Sequence, residues 1–207
     1  MPIIGLNQTV APSVEPVTLA EAKAHLRVVQ TLDNALLTAL IVAARSWCEE
    51  YTRRQFITAT WLLTLDRFPR GMADYVGGET SGVYGQDEDS RVIRLPRPNL
   101  LSVASVTYVS YDGSTVTLAS NTYRVDTNSA PGRLSPAFGS YWPPTRLVTG
   151  AVTITYTGGY GAAASAVPEP IKDAMKVYIQ RLYDPMNAPD IEAIKALLSP
   201  YRIEEYR

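Results

Sequence analysis

Residues 16–27 and 33–52 read as two consecutive amphipathic helices, and such a pair ahead of a long β-rich middle leaves few architectures open. Thr18 and Glu21 have the spacing of a capping box, in which each side chain satisfies a backbone N–H that a helix start leaves unpaired. Leu19, Ala22 and Leu26 then share one face. In the second helix Leu36, Leu37, Leu40, Ile41, Ala44, Trp47, Cys48 and Tyr51 fall on an arc of roughly 140° at about 100° per residue. Arg45 and Glu49 point the other way.

The middle of the chain alternates. Residues 58–66 read as a strand with Trp61, Leu63 and Leu65 on one side. Residues 69–90 follow with five glycines and six charged side chains, and no periodicity survives there. A loop of that length is usually functional or mobile. Strand signals resume at 91–95 and are broken by Pro96 and Pro98. Residues 103–111 and 115–118 flank Asp112-Gly113, a strong hairpin turn. Short pieces at 123–125 and 132–134 surround Pro131-Gly132. Residues 151–156 alternate again, with Val152, Ile154 and Tyr156 on one face. This spacing indicates a small antiparallel sheet or barrel.

The end returns to helix. Pro168 and Pro170 suit a helix start, and Ile171, Ala174, Met175, Tyr178 and Leu182 form one stripe until Asp184-Pro185 stops it. A shorter helix at about 190–198 presents Ile191, Ile194 and Leu198. That stripe is too small to give much to a monomer core, and short isolated helices are marginal in water. The segment from about residue 189 is therefore expected to be mobile in the free protein, and residues 201–207 to be extended. The fold class read from this order is α+β: a helical bundle from N- and C-terminal helices with an inserted antiparallel β module. The divisions are 1–57, 58–160 with the acidic loop 69–90, and 161–207. Leu40, Trp47, Tyr51, Tyr178 and Leu182 are expected to be buried together.

Composition excludes a good deal of chemistry. One Cys and one His cannot supply the four ligands of a structural zinc site, nor a disulfide within the chain. Cys48 lies inside the apolar arc and reads as a small buried hydrophobe. His25 reads as a packing or surface residue. No cofactor or metal site and no catalytic group is expected. No apolar run reaches the ~18 residues of a membrane span, and no basic region precedes an apolar core as in a secretory signal. The net charge of −1 does not favour bulk attraction to nucleic acid. Its distribution is uneven: residues 58–90 carry two basic and six acidic groups, and residues 91–160 carry six and two. Such alternation suits a protein whose copies pack together, as it also suits a scatter of solvated charges.

Residues 156–161, Tyr-Thr-Gly-Gly-Tyr-Gly, lack the Lys-Ser/Thr of a P-loop and the spacing of a dinucleotide fingerprint. Their reading is geometric: a strand end whose glycines permit positive φ where the chain crosses back to the helices. Asp87, Glu88 and Asp89 do not have the ligand spacing of a calcium loop. Those three, with Asp74 and Glu79, read either as a solvated loop or as the lining of a channel or a face turned to a neighbour.

The helical pair resembles the opening of the head–tail connector (adaptor) proteins of tailed double-stranded DNA phages. The likeness runs from Asp33 to Arg53, departing at Arg53, where the family often has glycine. It continues through Leu95-Pro96-Arg97-Pro98, Ser105 to Tyr108, Asp112-Gly113, Tyr123 to Asp126, Pro131 to Leu134, Trp142-Pro143, Val152 to Gly161 and Val167 to Lys172. Leu197 to Arg202 resembles a segment near the end of several connectors. The resemblance implies a virion structural protein at the head–tail interface, assembled in the host cytoplasm. Its copies would form a ring, dodecameric in the family, beneath the portal protein and against head-closure or tail proteins. DNA would pass through the lumen without sequence-specific binding and no membrane would be involved. It also implies a C-terminal contact with the portal, for which Ile191, Ile194, Leu198, Tyr201, Arg202 and Tyr206 are the candidates. Alternatives from other classes are a head-closure or tail-terminator protein, or a non-viral ligand-binding β module. The residues alone give a soluble α+β assembly or binding module.

Overall fold

The capping box forms as its spacing requires. In the computed structural model, which describes residues 5–69 and 91–203, the Thr18 hydroxyl accepts from the Glu21 amide at 3.2 Å and the Glu21 carboxylate accepts from the Thr18 amide at 2.7 Å. It opens α1, Leu19–Leu26, which ends on Arg27 in the left-handed conformation. α2, Asn34–Thr52, ends the same way on Arg53, at φ 57°. Glycine takes that conformation without a Cβ penalty, which Arg27 and Arg53 do not avoid.

The chain divides into two units. The helical unit comprises Val10–Ala59, Pro96–Asn99 and Gly158–Arg207. Its remaining helices are α3, Glu169–Tyr183, and α4, Ile191–Leu198. Ile41, Ala44 and Cys48 of α2 meet Ile171, Ala174, Met175 and Ile179 of α3 in one apolar core, closed from other sides by Val17, Ala22, Phe56 and Ile57. Trp47 stacks on Tyr178 at 4.3 Å between ring centroids and on Tyr51 at 5.6 Å. The Tyr183 hydroxyl donates to Asp33 at 2.9 Å, tying the end of α3 to the start of α2.

Two helix faces sit slightly rotated from their expected setting. Leu36 is 49% exposed, Leu182 is at the surface, and Leu40, Trp47, Tyr51 and Tyr178 are half-buried. The deepest positions are Leu37, Ile41, Ala44, Cys48 and Thr52 on α2, with Ile171, Ala174, Met175 and Ile179 on α3. Glu49 corrects the expectation that it points away from the core, because it is only 6% exposed.

The β unit comprises Met1–Thr9, Thr60–Leu95 and Leu100–Thr157. Its strands are β1 (Gly5–Val10), β2 (Ala59–Leu65), β3 (Ile93–Leu95), β4 (Leu100–Val109), β5 (Thr115–Thr117), β6 (Tyr123–Asp126), β7 (Gly132–Pro136) and β8 (Val152–Gly158), the last residues of β1 and β8 and the first of β2 falling just past the division. They form a five-stranded sheet in the order β1-β2-β8-β4-β5 and a three-stranded sheet in the order β3-β7-β6. The pairs β4–β5, β3–β7 and β6–β7 are antiparallel. β2 buries Ala59, Trp61, Leu63 and Leu65, and its neighbour β8 buries Val152, Ile154 and Tyr156, so period-2 alternation selects the inward face of both. Phe68 stacks on Trp142 at 4.8 Å beside them. The described residues are thus mixed α+β, with four α-helices and antiparallel strand pairs.

Candidate functional site

The C-terminal candidates are anchored by a charged group that sequence reading set on the wrong side of α2. Glu49 is one turn from the end of α2, where the chain turns into residues 54–57. One carboxylate oxygen accepts from the Gln55 side-chain amide at 2.7 Å and from the Phe56 backbone N–H at 2.9 Å. The other accepts from Arg45 at 2.9 Å, and Arg45 also donates to Glu15 at 2.7 Å. Arg97 adds a bond to the Glu49 backbone carbonyl at 3.1 Å. Burial pushes the Glu49 carboxyl above its ordinary range, while the Phe56 amide and the arginines pull the other way. A buried carboxylate is tolerated here because both of its oxygens accept hydrogen bonds and an arginine offsets its charge. It fixes the turn after α2 against the helix it leaves.

That turn holds the tail. The Arg54 guanidinium donates to the Tyr201 carbonyl and to the Asn99 side chain, and the Ile203 amide donates to the Thr52 carbonyl at 3.1 Å. Arg202 lies over the Tyr51 ring, 5.0 Å from its centroid, in a cation–π contact. α4 itself is capped by Asp190, whose carboxylate accepts from the Glu192 amide. Ile194 and Leu198 are completely buried in the helical core, and Ile191 and Tyr201 pack against it.

The expectation of a mobile tail with little to bury is therefore corrected. The stripe on α4 is small, but α3 and α2 lie directly against it, and two fully buried aliphatic side chains contribute several kcal/mol where an isolated helix has nothing. Of the six portal candidates, Ile194 and Leu198 face inward, Ile191 and Tyr201 are half-buried, and Arg202 is at the surface. Tyr206 lies outside the described residues, as do Asp74, Glu79, Asp87, Glu88 and Asp89. The structure thus brings the α4 residues and Tyr201 together on one core. Leu197, 42% exposed, lies on the outer side of α4 and was missed because it breaks the apolar stripe.

Cys48 is fully buried, and burial, with the charge of Glu49 beside it, pushes its thiol up to about 12. It packs as a hydrophobe. The glycines at 158 and 159 have a steric reason: a Cβ on Gly158 would sit 2.9 Å from the Arg97 carbonyl, and one on Gly159, at φ 140°, 2.7 Å from the Thr58 nitrogen. Among the described residues no His/Cys/Asp/Glu cluster could hold a metal, and no helix is long and apolar enough to cross a membrane.

Residues 16–94, which contain α1, α2, β2 and the start of β3, match the family model of phage gp6-like head–tail connector proteins. Over nearly the whole chain there is also a likeness of fold to solved structures. A chain in the neck of an empty gene transfer agent (GTA) particle, computed with C6 symmetry, superposes with a TM-score of 0.75 at 21% identity, covering 99% of this chain and 98% of that one. Chains in the virion of the native GTA particle and in its neck computed with C12 symmetry each give 0.73 at the same identity and coverage. No curated protein sequence matches the chain.

Proposed function

We propose that this protein is the head–tail connector of a phage-like particle: a ring beneath the portal that joins the DNA-filled head to the tail and surrounds the path of the DNA. The observation that carries the reading is the match of residues 16–94 to the connector family model, together with a likeness of fold to a chain of the GTA neck that covers 99% of this one. The sixfold and twelvefold symmetries of those necks support a ring of identical copies, and twelve per ring is the number we assign. The work is assembly, with no chemical step. N- and C-terminal helices form one bundle and residues between them form an inserted β module, so that ring contacts and axial contacts fall on separate units.

The portal contact is assigned to the outer side of α4 and the residues after it, with Leu197, Arg202 and Tyr206 as its contacts and Ile191, Ile194, Leu198 and Tyr201 holding that edge in place. The acidic stretch carrying Asp74, Glu79, Asp87, Glu88 and Asp89 is assigned to a neighbour-facing role. Particles assembled without this protein test the reading: full heads with no tails attached are expected. Normally tailed particles would overturn it.

A further inference from the structure

α4 and the residues after it are held in two different ways. Ile194 and Leu198 are completely buried in the helical core, so apolar burial fixes α4. Residues 201–203 rest more on polar contacts, and each of them meets a residue within 51–54. The Ile203 amide donates to the Thr52 carbonyl at 3.1 Å, Arg202 lies over the Tyr51 ring, and the Tyr201 carbonyl accepts from Arg54 Nε.

The Arg54 side chain also reaches a second segment. Its Nη1 donates to Asn99 Oδ1 at 2.9 Å while its Nε serves Tyr201. Asn99 is itself fixed on both sides. Its carbonyl accepts from the Gly159 amide at 2.8 Å, and the Pro98 carbonyl before it accepts from the Gln55 amide at 3.1 Å. The Arg54 backbone is tied down as well, its amide donating to the Glu49 carbonyl at 3.1 Å. The guanidinium is thus held at its root by the end of α2 and along one edge by Asn99, and it presents Nε to the tail. A planar fork can meet acceptors from two segments at once, which a lysine ammonium, a point charge on a flexible stem, does not do in the same way. Hydrogen bonds from a charged donor are also among the strong ones.

From this geometry we infer that Arg54 is the positioning residue of the portal edge. It sets the path of residues 201–203 along the end of α2, and with it the point from which the chain runs on to Tyr206. The inference rests on the portal contact proposed above and names the residue that aims it. Arg54 acts through the tail it holds. The two holds are separable: without Arg54 the residues after α4 come loose while α4 stays docked on its apolar core. Local opening of this kind draws on the part of a fold with the fewest buried contacts.

The test compares full-length wild type, Arg54→Ala and Arg54→Lys. In Arg54→Ala, hydrogen exchange at the Ile203 amide is expected to be roughly tenfold or more faster, with the amides of Ile194 and Ala196 unchanged. Affinity for purified portal is expected to fall roughly tenfold or more while the melting temperature stays near that of wild type. Arg54→Lys, which can keep one acceptor of the two, is expected to lie between in both readouts, and it carries the comparison should Arg54→Ala fail to fold. A merely structural arginine would lower the melting temperature and speed exchange at Ile194, Ala196 and Ile203 together, and that result would overturn the inference. So would unchanged exchange at Ile203, or faster exchange there with portal affinity intact. Wild type that binds no portal would overturn the portal contact and, with it, the aim assigned to Arg54. Equal binding by wild type and Arg54→Ala would overturn the Arg54 assignment alone.

Discussion

Four polar or charged side chains are buried among the described residues, and three of them, Glu49, Thr52 and Gln55, sit in the helical unit, whereas the β unit buries only Thr145. The helical unit takes a carboxylate inside and surrounds it with donors. The β unit fills its interior with alternating apolar residues and keeps arginine and aspartate at the surface. The difference separates two uses of charge. Inside the helical unit a satisfied carboxylate positions the turn that holds the tail, so losing a partner is costly. On the β unit the Arg133–Asp126 pair lies nearer the solvent, so losing it should leave the fold intact.

The strongest way to break this comparison is Glu49→Ala. It removes the acceptor from the Phe56 N–H, the Gln55 amide and one bond of Arg45 together. A loss of about 3–5 kcal/mol in denaturant melts is expected for an opened buried pair. A loss under about 1 kcal/mol would mean that the charged centre is dispensable and that the two units do not differ in this respect.

Leu198→Ala comes next, at about 2–5 kcal/mol for a fully buried leucine, with Leu134→Ala as the matching change in the β unit. Similar losses are expected, since both side chains are fully enclosed. A Leu198→Ala variant as stable as wild type would return α4 to the mobile segment that its short stripe first implied.

The sign of the pH dependence sharpens the contrast. Burial, the largest influence on Glu49, raises its carboxyl above the ordinary 4.5. Between 4.5 and that raised value the folded state binds more protons at this site than the unfolded chain. The Glu49 contribution to stability therefore falls as pH rises through that window and is flat above it. Subtracting melts of Glu49→Gln from those of wild type over this range should show a difference with that slope. On the β unit, hydrogen bonds from Arg133 and then the Asn128 amide lower Asp126 to about 2 from an ordinary 3.8. Its contribution is complete above 3.8 and is lost as pH falls toward 2.

Smaller still is Thr18→Ala, which removes the hydroxyl half of the capping box and should cost about 1 kcal/mol. Last is Asp126→Asn at neutral pH, for which a fall in melting temperature smaller than that of Thr18→Ala is expected, because the pair it breaks lies at the surface.

Much of this was legible where the signal was local. The Thr18/Glu21 spacing, the alternation of β2 and β8, and the proline start of α3 each follow from one short stretch of chain. What was illegible depended on partners remote in sequence. Glu49 reads as a solvent residue because nothing in 45–49 reveals that the Phe56 amide and Gln55 will close over it. Ile194 and Leu198 read as a weak stripe because their burial is supplied by α2 and α3. β1 carries no apolar alternation, being half-buried or exposed throughout at a sheet edge, so it gave no strand signal. The reach of Arg54 was invisible for the same reason: its acceptors, on Asn99 and Tyr201, lie far from it in sequence.

The connector claim itself is tested most directly by imaging the purified chain bound to purified portal by electron cryomicroscopy. The account predicts a twelvefold ring seated on the portal, each copy showing the two units described above, with α4 and the residues after it at the portal contact. Portal particles that remain bare at saturating concentrations of the chain would contradict it.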